Sequence, residues 1–80
     1  MSVMLTSCQC RMARAAVGLS RPAFSGRANV SVATLSDFEL GKRVPYDRTL
    51  RDIRGAFEAL GVTFLVADAS GVGVRYRDAN

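Results

Sequence analysis

The chain contains no histidine and no tryptophan, and only two of its 80 residues are cysteine. Without histidine it lacks the commonest general base of enzymes, and no other catalytic constellation is present, so a non-enzymatic protein is indicated. Cys8 and Cys10 alone cannot close a tetrahedral zinc site, and residues two apart on a helix point to different sides. We therefore expect no metal and no other cofactor, and we interpret both cysteines as small apolar side chains.

Long hydrophobic runs are also missing. No apolar stretch approaches the roughly 20 residues that a membrane helix needs, so no membrane partner is expected. The apolar share of 49% with mixed charge is typical of a globular chain rather than a disordered one. A length of 80 residues corresponds to one small hydrophobic core.

Acidic residues are absent from the first 36 positions, which contain Arg11, Arg14, Arg21 and Arg27. Residues 37–80 hold seven bases and seven acids, so the whole net charge of +4 lies in the first half. This asymmetry indicates an anionic partner there. A mitochondrial-type transit peptide is the alternative, but the helix signals of the segment favour a part of the fold.

The first helix is predicted over about residues 7–17. Thr6-Ser7-Cys8-Gln9 has the form of a capping box, the apolar spacing that follows is helical, and Gly18 is a natural terminator. Arg14 lies on the inward face of this helix. A buried guanidinium needs a partner there.

Two further capped helices follow at short spacing. Ser20 can cap the second helix, and Asn29 can end it in the left-handed conformation. Ser31 then caps a third helix that runs to about Leu40 and stops at Gly41. Two helices joined by a three- or four-residue turn form a helix-turn-helix.

The fourth helix opens at Pro45 and Asp47 and ends at Gly61. Its apolar residues recur at helical spacing and form a clear stripe, composed of Leu50, Ile53, Phe57 and Leu60. After Gly61 the period changes to that of strands, with a turn signal at residues 68–71. The sequence thus predicts a C-terminal β-hairpin over about residues 62–67 and 72–77.

The segment "SRPAFSGRANVSVATLSDFELG", residues 20–41, resembles the Cro/repressor-type (Xre-type) helix-turn-helix of bacterial and phage transcriptional regulators. The likeness extends over residues 5–61, and the tail that follows is similar to that of short Xre-type proteins ending in two strands. The resemblance implies a mainly α fold of the lambda-repressor-like type, with four short helices and a hairpin. Residues 1–61 would be the DNA-binding domain, and residues 62–80 the dimerisation element.

The implied function is sequence-specific binding of double-stranded DNA by a transcriptional regulator, usually a repressor. Such a protein is cytoplasmic and nucleoid-associated, and it binds a palindromic operator as a homodimer through the hairpin. The helix over residues 31–40 would lie in the major groove. Carried over by position, the DNA-binding residues are Arg21, Ser31, Val32, Ala33, Ser36, Asp37, Lys42 and Arg43.

The base-reading set departs from the family pattern. Val32 and Ala33 can touch a thymine methyl group but cannot make the bidentate hydrogen bonds that discriminate bases best. Asp37 either accepts a hydrogen bond from cytosine or repels non-specific DNA. We therefore expect Arg21 and the shape of the DNA to contribute more to recognition.

Glu39 is the second acid of the third helix, and it lies beside the inward stripe. In the family this glutamate pairs with an arginine of the first helix, which implies a structural salt bridge between Glu39 and Arg14. An alternative function also remains open on the same fold. It is an antitoxin-like or adaptor module that binds mainly another protein and DNA only weakly.

Overall fold

The computed structural model describes residues 5–77, apart from the side chains of residues 66–68, and within that part it has four helices and one antiparallel hairpin. The elements are α1 (Ser7–Val17), α2 (Arg21–Ala28), α3 (Val32–Glu39), α4 (Asp47–Ala59), β1 (Val62–Asp68) and β2 (Gly71–Tyr76). This confirms the predicted fold class. The observed boundaries agree with the predicted ones to within about two residues.

The first three helices begin at the caps that the sequence predicts. Thr6 Oγ1 accepts from the backbone N–H of Gln9 at 3.0 Å, and Gln9 Oε1 accepts from the backbone N–H of Thr6 at 2.9 Å. These two bonds complete the capping box. Ser20 and Ser31 each accept a backbone N–H three residues on. The fourth helix differs, because Tyr46 occupies its N-cap position and makes no side-chain cap bond.

The core joins all four helices to the hairpin. The ring of Phe24 from α2 stacks on Phe57 from α4, with centroids 3.9 Å apart, and Phe64 from β1 meets Phe57 edge-on at 5.9 Å. The hairpin adds Val62 as well, so residues 62 and 64 share one core with the helices. The other buried apolar residues are Leu5, Cys10, Ala13, Ala28, Leu35, Phe38, Leu50 and Ile53.

The hairpin is tied to α1 by a buried amide. Gln9 Nε2 donates to the carbonyl of Leu65 at 3.1 Å and to that of Gly73 at 2.9 Å, and these two residues face each other across the ladder. Gln9 therefore caps its own helix with one end of its amide and holds both strands with the other. This contact fixes the hairpin relative to the helices.

Candidate nucleic-acid interface

The turn between α2 and α3 spans only residues 29–31. Asn29 adopts φ 58° and ψ 41°, and its N–H donates to the carbonyl of Ser25, which closes α2 in the left-handed conformation. A connection this short leaves little freedom in the angle between the helices. On α3, Leu35 is buried, whereas Val32 is 42% exposed and Ala33 is exposed as well. The first turn of α3 thus presents small side chains to the outside.

The loop after α3 is attached to the end of that helix. The backbone N–H groups of Lys42 and Arg43 donate to the carbonyl of Asp37 at 2.8 and 3.3 Å. Both side chains are exposed, while Asp37 and Ser36 are half-buried. The main chain of Asp37 therefore holds two cations beside α3, although its carboxylate would oppose an anionic partner.

Ser31 is exposed at the start of α3, and its hydroxyl already has two bonds. Its Oγ accepts from the amide of Thr34 at 3.0 Å and donates to Thr34 Oγ1 at 2.8 Å. Binding of a phosphate through the Ser31 hydroxyl would require the second of these bonds to open. Its main role in the described structure is that of a helix cap.

A shallow groove of about 330 Å³ borders the same surface. It runs from Thr34 on α3 to Thr49 on α4, and the loop between them supplies the rest of its wall. The phenol of Tyr46 is 88% exposed at this edge. The groove thus combines hydroxyl groups with a guanidinium and apolar carbons, and it is lined by Thr34, Arg43, Val44, Pro45, Tyr46 and Thr49.

Glu39 is fully buried at the end of α3, and the ion pair with Arg14 that the sequence predicts is present. Arg14 Nε lies 2.8 Å from Oε2 of Glu39, and Nη2 lies 2.9 Å from Oε1, so the pair is bidentate. The same guanidinium also donates to the carbonyl of Leu19 at 3.3 Å. Arg14 thereby connects the end of α1 to the end of α3.

Two more arginines converge on Glu39, which sequence reasoning missed. Arg21 Nε lies 3.0 Å from Oε1, and Arg11 Nη1 donates to the main-chain carbonyl of the same residue. The four arginines of the acid-free first half are thus partly used within the fold, and an anionic partner for that half stays a prediction. Three of those four side chains receive a partner from α3. The spacing of Arg11 and Arg14, three residues apart on one helix face, was the available signal.

The environment of Glu39 has opposing effects on its pKa. Burial alone raises it, but the hydrogen bonds and charges of Arg14 and Arg21 outweigh burial and lower the pKa from its ordinary value of 4.5. Neighbouring Cys10 responds in the other direction. Burial, and then the charge of Glu39, raise the pKa of its thiol to about 12. Cys10 therefore stays a neutral thiol, with Sγ 3.6 Å from Glu39 Oε2.

Among the side chains that the structure describes, no group of three or more histidine, cysteine, aspartate or glutamate residues could hold a metal ion. Over residues 5–77, no helix has the length and apolar character needed to span a bilayer.

Helices α2 and α3, joined by a three-residue turn and supported by α1 and α4, define a helix-turn-helix protein. A family model described as a helix-turn-helix domain matches residues 8–72. The chain therefore belongs to the helix-turn-helix domain family. The match extends past the four helices to β1 and the start of β2, so it includes the first part of the hairpin. The search of curated proteins found no match.

Proposed function

We propose that the protein is a DNA-binding transcriptional regulator of the Xre/Cro type, without enzymatic activity, acting in the cytoplasm on the nucleoid. The observation that carries this proposal is the arrangement around α3. Its exposed first turn, at Val32 and Ala33, lies on the same helix whose other end holds Lys42 and Arg43. A helix in the major groove with cations beside it is the expected geometry for reading bases while gripping phosphates.

Recognition in this proposal depends strongly on the DNA backbone. Val32 and Ala33 contact thymine methyl groups, Ser36 and Asp37 lie deeper along the helix, and Ser31 approaches a phosphate at its start. Neither Val32 nor Ala33 can form a bidentate hydrogen bond to a base, because both side chains are apolar. Sequence preference is therefore expected to arise largely from DNA shape, while Arg21, Lys42 and Arg43 bind phosphates.

Selection of bound duplexes from a random pool, followed by sequencing, tests this function. Enrichment of a common motif is expected, and affinity should fall steeply as salt rises because phosphate contacts release counterions. Arg43→Ala should lower the salt slope by about 1, whereas Arg51→Ala removes the same charge from an exposed position on α4 and serves as the matched control. Absence of enrichment together with salt-insensitive binding would contradict the proposal.

We further propose that two copies associate through residues 62–80 as a homodimer on a palindromic operator. The sheet has only two strands within the described residues, so both of its edges lack a further strand. Three apolar side chains on it remain exposed, with Leu65 and Val72 each at 38% and Tyr76 at 36%. Pairing with a second hairpin would cover this surface and satisfy an open strand edge.

Deletion of the hairpin is a poor test of the dimer, since Val62 and Phe64 belong to the core. Leu65→Lys is better, because it places a charge on the exposed face without removing a core residue. We expect it to shift the protein from dimer to monomer in sedimentation equilibrium. Val44→Lys, at a 72% exposed apolar position in the loop before α4, should leave the mass unchanged. A Leu65→Lys protein that remains dimeric would rule out this interface.

The second candidate function is an adaptor or antitoxin-like module that binds another protein. It is favoured by the exposed apolar residues around the loop after α3, with Leu40 at 56%, Val44 at 72% and Tyr46 at 88%. Such residues occur in the cores of protein interfaces. The same selection experiment discriminates the two functions, because an adaptor would enrich no DNA motif. An adaptor would also co-purify with its protein partner in stoichiometric amount.

A further inference from the structure

We propose that Glu39 is a positioning residue for DNA binding, since its carboxylate holds Arg21 so that the outer edge of this guanidinium engages a DNA phosphate. This inference rests on the proposed function. It assigns Glu39 a second role beyond its ion pair with Arg14, and it identifies which face of Arg21 meets the anion.

The charge of Glu39 is already balanced before Arg21 is considered. Arg14 alone makes two short hydrogen bonds to the carboxylate, at 2.8 and 2.9 Å. Arg21 adds a single bond through Nε at 3.0 Å, and Arg11 binds only the main-chain carbonyl. Two guanidinium groups thus bind one carboxylate, and a third binds the main chain of the same residue. A structural ion pair needs only one of them, and the cluster keeps a surplus of positive charge.

The bonding pattern of Arg21 leaves its outer donors available. A guanidinium has five N–H donors, and only the one on Nε is used here. Among the described residues, neither Nη group of Arg21 has an acceptor, and the side chain is 32% exposed. The edge formed by the two Nη groups matches the spacing of two phosphate oxygens.

The position of Arg21 also suits a phosphate. It is the first residue of α2, where the helix dipole is positive, and no acidic residue follows in that first turn. Glu39 is the last residue of α3, so the bond between them links the start of one helix to the end of the other. Arg21 is thereby ordered before DNA arrives, which reduces the conformational entropy lost on binding.

For Glu39→Gln, an effect of charge alone and a positioning role predict opposite changes in the affinity for DNA. Glu39→Gln removes a negative charge from the protein, so an effect of charge alone would tighten binding to DNA. If Glu39 orients Arg21, the same change releases that guanidinium and weakens binding. The difference must disappear when Arg21 is absent.

The test is a double-mutant cycle on Glu39 and Arg21, measured by fluorescence anisotropy with a labelled short duplex of random sequence over a range of salt concentrations. The variants are Glu39→Gln, Arg21→Ala, both together, and Arg21→Lys. Arg27→Ala is the matched control, because it removes an exposed arginine from the last turn of the same helix. Circular dichroism melts establish that each variant is folded at the temperature of the titration.

We expect Arg21→Ala to weaken binding about tenfold and to lower the salt slope by about 1, while Arg27→Ala has a smaller effect on both. Glu39→Gln should weaken binding several-fold when Arg21 is present and should not weaken it in the Arg21→Ala background. Arg21→Lys should keep the salt slope but lose affinity, because an ammonium cannot bind carboxylate and phosphate with a planar fork.

Equal or tighter binding by Glu39→Gln overturns the inference, and so does a weakening of equal size in both backgrounds. If Glu39→Gln does not fold, the comparison between Arg21→Lys and the unchanged protein decides, and equal affinity refutes the positioning role. In all these cases the unchanged protein still binds DNA and the proposed function stands. If the unchanged protein does not bind the duplex, the function and this inference fail together.

Discussion

Gly61, between α4 and β1, is the residue with the strictest backbone requirement. Its φ is +99°, and a Cβ there would lie 2.6 Å from the carbonyl oxygen of Arg77. Its own carbonyl accepts from the N–H of Arg77 at 2.9 Å. We expect Gly61→Ala to lower the free energy of unfolding by about 2 kcal/mol or more, because strain and a main-chain clash combine. Urea denaturation measures this change.

Gly55→Ala is the matched control for this substitution. Gly55 lies inside α4, and a Cβ there meets no atom within 4 Å. Alanine should therefore raise the free energy of unfolding by about 0.5 to 1 kcal/mol through its higher helix propensity. Equal stabilities of the two variants would contradict the close approach at Gly61.

The two cysteines should differ in reactivity although they are two residues apart. Cys8 is exposed, whereas Cys10 is buried and its thiol has a pKa of about 12. Near pH 8, a chromogenic thiol reagent should modify Cys8 alone in the native protein, and both cysteines after denaturation. Rapid reaction of both thiols in the folded protein would show that the Cys10 environment is open.

Gln9 connects two elements, and its loss should weaken both. We expect Gln9→Met, which keeps the volume but removes the amide, to lower the free energy of unfolding by about 2 to 3 kcal/mol. The reason is that the carbonyls of Leu65 and Gly73 lose a donor in a partly buried setting. Chemical denaturation gives the size of the loss, and hydrogen exchange should show reduced protection in β1 and β2.

Thr6→Ala separates the cap from the tie to the hairpin. It removes the acceptor for the backbone N–H of Gln9 but leaves the bonds from the side-chain Nε2 of Gln9 to both strands. A loss of about 1 kcal/mol is expected, as for other helix caps. If Thr6→Ala destabilises as much as Gln9→Met, the contact with the hairpin contributes nothing to stability.

Local signals explain why the elements themselves could be predicted. Caps at Thr6, Ser20 and Ser31, the left-handed Asn29 and the apolar stripe of α4 all act within a few residues of the chain. Their effect is therefore visible in sequence. The side of each strand that meets α1 has no such signal, since it depends on Gln9, which lies more than fifty positions away.

At the scale of the whole molecule, the loss of stability in acid should measure what the ion pairs of Glu39 contribute. The pKa of Glu39 is lowered in the folded state, so its contribution to stability is fully present above the ordinary value of 4.5 and is lost as pH falls through the folded-state pKa. At pH values below about 4.5, we expect the free energy of unfolding of the unchanged protein to decrease. Thermal melts across acidic pH follow this loss.

Glu39→Gln should be less stable at neutral pH, and its stability should depend less steeply on pH in the acid range. Glu58→Gln is the control, because Glu58 is half exposed and pairs with Arg54 at the surface of α4. Its profile should follow that of the unchanged protein. A Glu39→Gln protein with an unaltered acid slope would show that another carboxylate governs the loss.

By itself, the sequence determined the helices, the tight turn, the hairpin and the ion pair of Arg14 with Glu39. Periodicity and caps act locally, and the family pattern implied the pair. Only the tertiary structure decided that Arg11 and Arg21 also converge on Glu39 and that Gln9 holds both strands. These contacts join residues that folding brings together from 18 or more positions apart. Composition records the charges, but only packing decides which of them meet.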